Sequence, residues 1–99
     1  MAFLNAPGAY LPGRIVGNQP MADALGVTPE WIYGVSGIEE RRYAEAGETV
    51  ASMAVAAARD CLARAEMKAN EIGMVLVAPG SSERRFPGPA ATVASGLGL

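Results

Sequence analysis

Apolar residues recur at three- and four-residue spacings between Val50 and Ala65. Val50, Met53, Ala54, Ala57, Cys61, Leu62 and Ala65 form one stripe, with Arg59, Asp60, Arg64 and Glu66 mostly off it. That period predicts a helix over residues 48–66. Its many alanines allow close approach to a sheet or another helix. The run GMVLVA at 73–78 is apolar without alternation, which predicts a strand buried on both faces. Pro79 and Gly80 end it, a loop SSERRFPGP follows, and Pro89 opens a last small-residue helix over 90–97. Towards the N-terminus the apolar pieces are short and broken by Pro7, Gly8, Pro12 and Gly13. They predict a first strand at 2–6, open to extension as far as Tyr10, and a short extended piece at 14–16.

Between these lies a denser patch of signals. Asn18 is a candidate cap for a short helix at 20–25 closed by Gly26. Thr28-Pro29-Glu30 is a sound helix start: a hydroxyl to accept an orphan N–H, a proline suited to the first position, an acid at the positive dipole end. Gly34 and Gly37 limit that helix to about two turns, and Ile38 to Tyr43 suggests a short surface strand. Asn70 and Glu71 begin a short turn. Strand, long helix, buried strand and helix in this order predict an α/β fold with parallel strands and a right-handed crossover. A strand buried on both faces needs neighbours on both edges, and only two strands are convincing. The 99 residues therefore read as a single incomplete domain, the opening piece of a larger sheet.

Composition narrows the chemistry. The chain is 51% hydrophobic and 18% charged, which excludes a disordered tail. Its net charge of −2, with signs mixed, argues against a general nucleic-acid binder. One cysteine excludes an internal disulfide and suits a reducing cytoplasm. The start has no basic region of a signal peptide, and no apolar run is long enough to span a bilayer. There is no histidine. The usual neutral-pH general base is absent, and with one cysteine so is a zinc set. Neither a catalytic residue nor a metal ligand is expected. Cys61, mid-stripe, reads as a small core hydrophobe. Glu39 to Arg42 read as a solvated or dimer-facing strand. Arg84-Arg85-Phe86 reads as a loop or a basic dock. Gly96-x-Gly98 lacks the third glycine and preceding strand of a dinucleotide site. The lone Trp31, one turn into the Thr28 helix, is either a core ring or a flat surface for a planar ligand.

Taken in order, GAYLPGRIVGN, TPEWIYGVSGIEERRYAEAGETVASMAVAAARDCL, NEIGMVLVAPGSS and FPGPAATVASGLGL resemble the N-terminal part of β-ketoacyl-acyl carrier protein synthase III, a thiolase-fold ketosynthase. The resemblance covers essentially all 99 residues. It implies a homodimeric enzyme of fatty-acid synthesis without a permanently bound cofactor. Its cysteine is acylated by acyl-coenzyme A, then condensed with malonyl-acyl carrier protein with the help of a histidine and an asparagine. None of those three lies in the matching segment, so these 99 residues alone are expected to be inactive. By resemblance, Trp31 stacks on the adenine of coenzyme A with Thr28 beside it. Phe86 lies at the dimer interface and reaches the partner's acyl tunnel. Where the family commonly carries an arginine, and often a second basic residue, this chain has Val35 and Glu39. A lost charge-assisted phosphate contact costs roughly 1.5–3 kcal/mol. That leaves open a carrier-protein donor, or a specialised acyltransferase of polyketide or other secondary metabolism. A non-catalytic interaction fragment that keeps the family scaffold is the alternative from another class.

Overall fold

The computed structural model describes residues 1–81 and 84–99. Ser82 and Glu83, in the loop expected after Gly80, lie outside the described residues. The described elements are β1 (Arg14–Gly17), α1 (Asn18–Leu25), α2 (Pro29–Ser36), β2 (Glu40–Tyr43), α3 (Val50–Ala65), a 3-10 turn (Ala69–Glu71) and α4 (Pro89–Gly96). They fall into two compact units: Met1–Leu11 with Gly47–Leu99, and Pro12–Ala46.

In the unit of residues 12–46, β1 and β2 form an antiparallel ribbon. Arg14 pairs with Tyr43 and Gly17 with Glu40. The Arg14 guanidinium sits 5.7 Å from the Tyr43 ring centre, within cation–π range. Helices α1 and α2 pack together, with Ala22 and Ile32 buried. Gly26 and Gly37 both adopt the left-handed conformation that ends a helix. The expected Asn18 cap is not made. Gly17 occupies the cap position of α1 with no side-chain bond, and the Asn18 amide instead donates to the Ile38 carbonyl at 2.8 Å. The Asn18 side chain thus ties the start of α1 to a backbone 20 residues away instead of capping its own helix.

In the other unit, α3 is the central element. Thr49 and Ser52 close a reciprocal capping box at its start, at 3.0 and 2.8 Å. The apolar stripe is broader than its period implies: every residue from Met53 to Ala58 is at least half-covered. Residues 5–10 run antiparallel along α3. Asn5 reaches Met67, the Cys61 thiol donates to the Ala6 carbonyl at 3.2 Å, the Ala9 N–H donates to Asp60 at 3.0 Å, and Tyr10 bonds Glu48. Helix α4 packs on α3. Its Gly96 carbonyl accepts from Arg59 at 3.0 Å, and Val93 is buried.

The two apolar segments expected to form parallel strands are not strands among the described residues. Within residues 2–6 only Ala6 is covered and meets α3, through the Cys61 thiol, while Phe3 and Leu4 stay exposed. Residues 73–78 alternate, with Val75 and Val77 half-buried but Met74 and Leu76 75% and 87% exposed. One face of the segment is covered, not two. A strand is a relation between two backbones, and the only ladder among the described residues is the antiparallel β1–β2 pair. The sheet is incomplete.

Candidate functional site

Helix α2 holds the residues singled out for ligand contact. Thr28 takes an extended backbone and its hydroxyl accepts the Trp31 N–H at 3.1 Å. Pro29 fills the first helical position and Glu30 the second, as the helix start predicts. Ile32 turns into the small core, 9% exposed. Trp31 is 55% exposed and Val35, one turn along the same side, is 64% exposed. The ring is therefore a surface feature, not a core one. Thr28 stands beside it, with its oxygen committed to the cap.

The far end of α2 is held by a hydrogen-bond chain. The Ser36 hydroxyl donates to the Ile32 carbonyl at 2.6 Å and accepts the Ile38 N–H at 3.1 Å. The Ile38 carbonyl accepts from Asn18, whose amide oxygen accepts from Arg41 at 2.6 Å. Arg41 also donates to the Gly17 carbonyl at 2.8 Å and the Val16 carbonyl at 3.3 Å. Arg42 donates to the Pro12 carbonyl at 2.9 Å. The two arginines, expected on a solvated or dimer-facing strand, are half-buried struts within this chain. Nothing in the periodicity signals the Asn18–Arg41 pair, since its members are 23 residues apart and only the ribbon register unites them.

The remaining candidates lie in the other unit. Phe86 is 91% exposed. Cys61 is half-buried rather than fully enclosed, on the wall of an apolar cavity of about 240 Å³ with Ala58, Leu62, Val75, Val93 and Leu97. The carboxyl of neighbouring Asp60 is held below its ordinary pKa, first by the Ala9 N–H and then by Arg64, which contacts it at 3.0 Å. Burial opposes this shift. Among the described residues no three metal-ligating side chains come together, and no helix is long and apolar enough to cross a membrane. Gly96 and Gly98 close a helix rather than open one, so no phosphate loop is present at them.

With this geometry in view, the comparisons with known proteins decide the kinship. The β-ketoacyl-[acyl-carrier-protein] synthase III of Baumannia cicadellinicola is 42% identical over 92 residues, covering 93% of this chain and 29% of that protein. That of Roseobacter denitrificans is 41% identical over 98 residues, covering 99% and 30%. This chain is similar to β-ketoacyl-[acyl-carrier-protein] synthase III. The priming β-ketosynthase of the R1128 polyketide pathway superposes with a TM-score of 0.91 at 35% identity, over 96% of this chain and 28% of that one. The synthase III of Aquifex aeolicus gives 0.89 at 32% identity, over 95% and 30%. The fold is thus the N-terminal part of the synthase III, thiolase-like fold. The chain spans about 30% of the length of the curated relatives it matches. No protein-family model matches it.

Proposed function

We propose that these 99 residues form one N-terminal, donor-contacting segment of a synthase III-type acyltransferase. The reaction is condensation of an acyl-coenzyme A starter with malonyl-acyl carrier protein in fatty-acid or polyketide biosynthesis. The enzyme is a cytoplasmic homodimer with no permanent cofactor. Its partners are acyl carrier protein and acyl-coenzyme A, not nucleic acid or membrane. The observation that carries the reading is the half-exposed Trp31 beside Thr28 at the start of α2, in a chain about 40% identical to synthase III over nearly its whole length. A flat indole on a rigid, capped helix is a stacking platform, worth about 1–3 kcal/mol per base. Phe86, almost fully exposed, is the residue assigned to the dimer interface and the partner's tunnel.

The segment by itself is inactive. It has no imidazole, and its single thiol donates to a backbone carbonyl in an apolar setting. Incubation with labelled acyl-coenzyme A should leave the chain's mass unchanged; stoichiometric acylation of Cys61 would defeat this reading. For the contact itself, calorimetry with coenzyme A compares the wild type and Trp31→Ala. Binding should weaken by about 1–3 kcal/mol. Unchanged binding would remove Trp31 from the site.

The match to a priming polyketide ketosynthase at TM-score 0.91 favours a second reading in specialised metabolism. A non-catalytic interaction fragment that keeps the scaffold would bind neither coenzyme A nor acyl carrier protein.

A further inference from the structure

The charges around Trp31 do not suit the phosphates of a nucleotide. Helix α2 contains no lysine or arginine, and Glu30 stands directly before Trp31. The unit of residues 12–46 carries five carboxylates (Asp23, Glu30, Glu39, Glu40 and Glu45) against three arginines. Each arginine is engaged elsewhere. Arg14 lies over the Tyr43 ring, Arg41 is bonded to Val16, Gly17 and Asn18, and Arg42 is bonded to Pro12. Beside Trp31 on the same side of the helix is Val35, an exposed apolar side chain. The first-turn N–H groups offer little more: the Trp31 N–H is donated to Thr28, and Pro29 has none.

We infer that the Trp31–Val35 surface binds its ligand through an uncharged planar face alone and discriminates against the nucleotide's phosphates. This rests on the reading of Trp31 as a coenzyme A contact and narrows it. The adenine ring stacks, while the diphosphate and 3′-phosphate meet a net negative unit. A nucleotide-borne thioester is therefore held weakly here.

Trp31 is the chain's one tryptophan, so its fluorescence reports this surface alone. Adenosine and coenzyme A are titrated at low and high salt. Adenosine should bind at least as tightly as coenzyme A. Added salt should strengthen coenzyme A binding, because it screens repulsion between like charges, and leave adenosine unchanged. Val35→Arg should tighten coenzyme A about tenfold, the equivalent of about 1.4 kcal/mol, without affecting adenosine, and should reverse the salt effect. Coenzyme A binding tighter than adenosine in the wild type, with an affinity that falls with salt, would overturn the inference while leaving the Trp31 contact standing. No response to either adenine compound would overturn both.

Discussion

Gly8 lies directly on the backbone of Cys61. A Cβ placed on Gly8 would stand 2.4 Å from the Cys61 nitrogen, 2.5 Å from its Cβ and 2.4 Å from the Ala57 carbonyl oxygen. Two of these three atoms are backbone and cannot swing aside. The approach allows residues 5–10 to follow α3 closely enough for the Ala6 and Ala9 hydrogen bonds to form.

Gly8→Ala should therefore force this segment off the helix. Overpacking typically costs 1–3 kcal/mol, and rigid neighbours place this site at or above about 3 kcal/mol. Urea unfolding measures it. The thiol of Cys61 should also become more reactive in the variant, since the Ala6 carbonyl that covers it moves away. A loss below about 0.5 kcal/mol would show that the approach is not obligatory.

Gly96 makes the matching contact at the other side of α3. Its added Cβ would lie 2.7 Å from a Val55 methyl. Here the obstacle is a side chain, so the clash is removable. Gly96→Ala should destabilise by about 1–3 kcal/mol, and Val55→Ala in the same chain should recover much of it. Additive losses in the double-mutant cycle would refute the contact.

Thr28 has two roles that substitutions can separate. Its hydroxyl caps α2 through the Trp31 N–H. Thr28→Ala should cost about 0.5–2 kcal/mol and loosen the first turn, which carries Trp31; Thr28→Ser should cost far less. If coenzyme A binding falls in Thr28→Ala but not in Thr28→Ser, the hydroxyl acts through the helix end. Circular dichroism and Trp31 fluorescence anisotropy give the readouts.

Asp60 sets an acid limit. Its carboxyl is held below the ordinary range by the Ala9 N–H first and Arg64 second. A lowered folded pKa means that the ionised form is favoured by folding. The contribution is fully present above the ordinary carboxylate range and is lost as pH falls through that range towards the folded value. Asp60→Asn should flatten stability against pH on this acid limb only. A wild-type curve equally flat below pH ~4 would remove the Asp60–Ala9 bond from the account.

Local chemistry made much of this protein legible. Thr28, Pro29 and Gly37 delimit α2 because a cap, a fixed φ and a left-handed closure act within a few residues. Helix α3 follows from its period for the same reason. The exposure of Trp31, the Asn18–Arg41 strut and the close approach of Gly8 to Cys61 were not legible. Each depends on which distant segment lies alongside, and a side chain's spacing does not encode its neighbour's identity. Residues 2–6 and 73–78 show the limit most clearly. Their apolar character specified neither burial nor pairing: Phe3, Leu4, Met74 and Leu76 stay exposed, and a strand needs a second backbone at hydrogen-bonding distance. Tertiary structure decided that Ala6 and Ala9 meet α3 while Phe3 and Leu4 stay exposed, and that residues 73–78 are covered on a single face, because burial and pairing are both set by what the rest of the chain brings near.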